Sequence, residues 1–268
     1  MARGSRSGAG FLLALPLLVF LIAAVLWPLA ALTRAALEGD GGRAMAAVLG
    51  AARTRVALAN SLLLSASAAI GSLLVASVPA WVLARDEFAG KGTVRALLLL
   101  PLTFSGVMVG FLTLVMLGRA GLVPAVARLL TGAPLGAGAA YTLGGIFLSY
   151  LYFEVPRATL ALEAAIRRLP PDLDRAARSL GAGPVARLAR IHVPALAPAV
   201  RSTLALTFSA SMGSFGVVLI LARRLTVVPL DVYTELTGFG NDAAAGTLCL
   251  LLAAVTLAVD RLLAGARR

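Results

Sequence analysis

Few side chains in this sequence could do chemistry, and the most suggestive are two charges in apolar surroundings. Glu154 and Arg157 stand three residues apart, so on a helix they share one face. Counting back from Ile166 at about 1.5 Å per residue puts Glu154 roughly 18 Å inside a helix that would cross a bilayer. Ionisable groups at that depth mark transport paths by default. The plainer reading is an ion pair that closes on itself, and Pro156 permits a bend in either case. Asn60, Ser65, Ser67, Ser209, Ser211 and Ser214 are further polar positions in apolar stretches; small hydroxyl residues of this kind also let membrane helices approach closely. Of these, Asn60, Ser65, Ser211 and Ser214 join Glu154 and Arg157 as candidates for lining a translocation path.

Catalysis is poorly supplied. Cys249 is the single cysteine and His192 the single histidine, so no intrachain disulfide, Cys-based metal site or metal-ligating cluster is expected. Gly213-Ser214-Phe215-Gly216 is superficially like a serine turn, but His192 falls in a distant loop and leaves it without a base. Gly90-Lys91-Gly92-Thr93 lacks both the earlier glycine and the adjacent hydroxyl of a Walker A loop. No cofactor is expected, and any nucleotide must be handled by another chain.

The elements that must position these residues follow from composition. Of 268 residues, 60% are hydrophobic and 13% charged, against about 45–50% and about 25% in a soluble domain. The mean hydropathy of +0.93 excludes a soluble enzyme. Apolar blocks long enough to span lie at about 11–32, 56–83, 96–117, 202–222 and 243–259, with a sixth, charged one at about 141–166. The first exceeds the 7–15 residues of a signal peptide's apolar core and is expected to be retained. Backbone satisfaction in lipid makes every span a helix. The expected fold is an all-α, six-helix polytopic membrane domain occupying 1–268 as one unit.

The net charge of +12 sits in short arginine clusters between these blocks, without the aromatic interleaving that nucleic-acid binding needs. Nucleic acid is therefore not an expected partner; the lipid bilayer is. With both termini cytoplasmic, fourteen Arg and Lys residues fall inside and eight outside, which favours that orientation.

The informative loop is 167–194. Pro171 and Asp172 are helix-start signals, Gly181 is placed to end that helix in a left-handed turn, and Pro184 can open a second helix. Pro194 is expected to mark a break before the next membrane segment. Ala176 and Ala177 offer a small, flat surface, and Arg175, Arg178, Arg187 and Arg190 line the remainder.

Its spacing closely resembles the Glu-Ala-Ala loop of binding-protein-dependent ABC importer permeases: Glu-Ala-Ala, three residues, Gly, nine residues, Ile, one residue, Leu, Pro. Ala176-Ala177, Gly181, Ile191 and Pro194 stand at those positions. Val193 replaces Leu, and Arg175 stands where the family usually has Glu, with Asp174 beside it as a possible substitute acid. Asn60-Ser61-Leu62, Ala80, Arg85, Leu98–Pro101 and Gly106 resemble the family's second and third helices. The resemblance implies a type I ABC importer permease of the bacterial inner (plasma) membrane. It would pair with a second, identical or homologous permease and receive substrate from an external solute-binding protein. Cytosolic ABC ATPase subunits would grasp a docking loop comprising Asp174, Arg175, Ala176, Ala177, Arg178, Gly181, Ile191 and Pro194. Tyr150–Arg157 resembles the branch that handles polyamines, ferric iron, thiamine or phosphonates. An ATP-independent secondary transporter is the alternative, although the two halves of the chain show no internal symmetry of the kind such carriers use.

Overall fold

The computed structural model describes residues 6–37, 42–222 and 225–265, all helix and connecting turn. Arg3, Arg223, Arg224, Arg267 and Arg268, which enter the charge count above, lie outside the described residues. The order is α1 (Arg6–Leu37), α2 (Arg43–Gly50), α3 (Ala52–Arg85), α4 (Lys91–Thr103), α5 (Gly106–Leu117) and α6 (Leu122–Thr131). Then follow α7 (Leu143–Arg167), α8 (Pro171–Ser179), α9 (Pro184–Arg187), α10 (Val193–Met212), α11 (Phe215–Leu221), α12 (Val228–Thr234) and α13 (Asp242–Gly265). A π turn at Leu188–His192 joins α9 to α10, and another at Glu235–Phe239 leads towards α13.

The centre is a packed trio of α3, α7 and α10, with α5 and α11 crossing at one end and α13 behind α10. Small residues set the separations. A Cβ on Gly71 would sit 2.8 Å from the Phe147 ring, and one on Gly216 would sit 2.4 Å from the Val107 amide. Gly106 faces Gly216, and Gly110 faces Ile220, so the Gly106-x-x-x-Gly110 spacing is a helix-packing seam between α5 and α11. Helix α1 is peripheral: it packs on α13, where Gly246 admits the α1 backbone at Leu32.

Three expectations about the spans need correction. The 96–117 block is broken at Phe104-Ser105: one helix stops at Thr103, two residues beyond Pro101, and the Ser105 hydroxyl accepts the Met108 amide to cap the next. Hydropathy does not register that cap, because every flanking residue is apolar. The 202–222 block is likewise two helices, bent by 48° at Gly213-Ser214. Pro194 does not interrupt the chain, because the π turn precedes it: Val193 N–H reaches Leu188 C=O across one extra residue. That wider turn relieves the clash and missing donor that Pro194 would impose on a regular helix. Among the described residues, length and composition alone qualify four spans, Leu15–Leu37, Ala52–Arg85, Gly106–Thr131 and Asp242–Leu263, or five with the bent pair. The remaining expected span is α7, which is long enough but carries Glu154, Arg157 and Glu163.

Candidate functional site

The 167–194 loop is a compact hook. Helix α8 ends at Gly181, whose φ of +78° is the left-handed turn expected there. Ala182 N–H donates to Ala177 C=O at 3.0 Å and Leu180 N–H to Ala176 C=O at 3.1 Å, which satisfies carbonyls the last turn would otherwise leave open. Asp172 pairs with Arg175 at 2.8 Å, both exposed to solvent, and no side chain caps the first turn of α8.

Asp174 does something the spacing alone did not reveal. It turns inward and accepts from Arg178 at 2.7 Å and from Arg187 at 2.7 and 2.9 Å, with His192 Nε2 at 3.3 Å. It is therefore engaged within this chain and is not a free substitute acid for a partner. Partial desolvation pushes its carboxyl upward, but the Arg178 and Arg187 bonds outweigh that and hold it below the ordinary carboxylate range. The clamp continues into the membrane helices. His192 packs edge-on against Trp81 with ring centroids 4.8 Å apart, and Arg85 lies over the same indole at 5.8 Å. Arg85 also donates to Leu169 C=O at 3.3 Å and Arg167 to Leu83 C=O at 3.4 Å. Glu163 bridges Arg167, at 2.9 Å, and Arg95 of α4. The hook is thus fixed to the ends of α3 and α7, and Glu163 ties α4 to the same corner.

The eight expected docking residues therefore divide. Arg175, Ala176, Arg178 and Gly181 face outward, joined by the exposed apolar Leu173, Leu180 and Val185. Ala177 is buried, Asp174 is the inner latch, Ile191 is half-buried on the π turn, and Pro194 is exposed in α10. Trp81 was missed from sequence; its only signal was its place one turn before Arg85 at a helix end.

The path candidates divide as well. At the opposite end of the bundle, Asn60 donates to Thr226 C=O at 2.9 Å, and Arg53 pairs with Asp231 at 2.8 Å, so Asn60 anchors the α12 loop. Ser214 contributes its carbonyl, which accepts the Tyr150 hydroxyl at 3.0 Å across the α10–α11 bend. Ser65 and Ser211 meet at a small, water-sized pocket shared with Ser61, Tyr150 and Met212. Glu154 is fully buried, bonded through Oε1 to Arg157 Nη1 at 2.7 Å. The Ser211 hydroxyl lies beside Glu154, but its bond to Glu154 Oε2 is not well formed. Ser209 instead bonds Asp260 of α13 at 3.0 Å.

A bundle of apolar helices carrying a compact hook fixed to their ends is suited to transmitting motion through rigid elements. Residues 81–265 match the binding-protein-dependent transport system inner membrane component, and the chain belongs to that family: it is a non-catalytic permease subunit of an ABC importer. The molybdenum transport system permease protein ModB of Escherichia coli K12 is 30% identical over 211 residues, 76% of this chain and 90% of that one. A probable sulfate transport system permease protein, cysT, of Nephroselmis olivacea is 26% identical over 249 residues, 90% of this chain and 84% of its own. The crystal structure of a bacterial alginate ABC transporter, in complex with an alginate pentasaccharide-bound periplasmic protein, shares the fold. Its TM-score is 0.81 at 18% identity, over 96% of this chain and 93% of that one. These relatives are named for molybdenum and sulfate, so the expected polyamine, iron, thiamine or phosphonate branch is not where the similarity lies.

Proposed function

We propose that this chain is one of two permease subunits lining the path of an ATP-driven importer for a small tetrahedral oxyanion of the molybdate or sulfate class. An external binding protein delivers the anion, and cytosolic ATPases seize α8. Both termini and the 167–194 hook face the cytoplasm, and the whole chain acts as one membrane domain. The substrate class rests on the relatives' names. The coupling role rests on one observation, the Asp174 latch: bonded to Arg178 and Arg187 and flanked by His192, it makes α8 rigid with α10 rather than a tethered loop. The ATPase-facing surface is then Asp172, Leu173, Arg175, Ala176, Arg178, Leu180 and Gly181, with Ala177 supporting it from behind.

The test is uptake of radiolabelled molybdate and sulfate into proteoliposomes holding the permease pair with its ATPase and binding protein. ATP-dependent accumulation of either anion is expected. Accumulation without ATP would support the secondary carrier instead.

A further inference from the structure

Resting on that oxyanion reading, we propose that Arg157 is an exchangeable cation on the translocation groove, held by Glu154 while the path is empty and handed to the anion as it passes. The two charges are not placed alike. Glu154 is enclosed, whereas the Arg157 side chain is 31% exposed and bonds only through Nη1 to one carboxylate oxygen. A guanidinium has five donors in a planar fork, so most of Arg157's hydrogen-bonding capacity is unspent, although its face lies over the Phe153 ring at 5.9 Å.

The exposed face of α7 continues from Arg157 through Ala161 and Ala164 to Arg168 at helical spacing. Beside Ala161, Ala164 and Arg168, α10 contributes Ala199, Ser202 and Thr203 to an open groove that stops about one turn short of Arg157. Small side chains leave room there, and arginines stand at both ends of the stripe.

A purely structural buried ion pair offsets its desolvation cost only when its remaining lone pairs are satisfied. This one leaves Glu154 Oε2 with only the loosely placed Ser211 hydroxyl beside it. The arrangement suits a competitor better than a brace. An unopposed arginine would grip an oxyanion through paired charge-assisted bonds and release it slowly. A carboxylate waiting behind it offsets the Arg157 charge while the groove is empty and recaptures the guanidinium when the anion leaves, and transport needs binding that is strong enough to admit cargo but weak enough to free it.

The decisive experiment uses the complete transporter in proteoliposomes and compares wild type with Arg157→Lys and the double variant Glu154→Gln/Arg157→Gln, which leaves no uncompensated buried charge. The double variant is expected to lose about tenfold in molybdate and sulfate uptake while ATP hydrolysis stays within about twofold. Arg157→Lys keeps the charge without the fork, and its uptake should fall between the two. A double variant that keeps pace with wild type overturns the exchange and leaves the pair as a brace. If the double variant fails to assemble, Arg157→Lys decides, and wild-type rates there overturn the exchange. Wild type that takes up neither anion overturns the oxyanion reading, and the exchange with it.

Discussion

Asp174 shows what a single carboxylate contributes when its neighbours are fixed. Its folded-state pKa is lowered, so its stabilisation is full above the unfolded carboxylate range and is lost as pH falls through the lowered folded value. Asp174→Asn is therefore expected to lower the melting temperature of the purified permease, with the gap to wild type constant from about pH 8 to about pH 5 and closing only below about pH 4. The same variant should lose several-fold in coupling, read as solute moved per ATP hydrolysed, while its ATPases still bind. The Gly181 turn was legible in the sequence because only a left-handed residue ends a helix that way. The inward aim of Asp174 was not legible: helical phase assigns it a face, but which face meets Arg187 and His192 depends on the angle between α8 and α10, which no local pattern encodes.

At the scale of elements, apolar runs located the membrane segments and failed at their interruptions. A Ser105 cap inside 96–117 and a Gly213-Ser214 bend inside 202–222 barely change hydropathy, yet each redirects a helix. The α5–α11 seam was partly legible, since Gly106 and Gly110 announce close approach, but their partner Gly216 is more than a hundred residues away. That seam makes a direct prediction. Gly216→Ala must displace backbone at Val107, and thermal denaturation in detergent should show a loss of about 1–3 kcal/mol. Gly50→Ala, with open space around it, should be close to neutral.

For the whole molecule, the two ends of the bundle have distinct tasks. One gathers α12 onto the start of α3 through Arg53–Asp231 and Asn60. The other ties the ends of α3, α4 and α7 together at the base of the hook, while Asp174 holds α8 to Arg187 and His192. With Cys249 replaced by Ala, a cysteine at exposed Val185 should react with an impermeant maleimide only from the cytoplasmic side, and one at exposed Leu129 only from the other. Labelling of both from one side would contradict the proposed orientation. The short helices α2 and α6 lie in Gly- and Ala-rich connections between the longer ones.

The π turn at Leu188–His192 also acts as an angular index. One residue in an ordinary helix corresponds to about 100° of rotation, so removing Ala189 to restore a regular turn would swing α8 and α9 around the axis of α10 by about that amount. Arg187 and Asp174 would travel together while His192 and Trp81 stayed behind. Composition and length would be almost unchanged, but the drive shaft between engine and gate would be keyed to the wrong tooth.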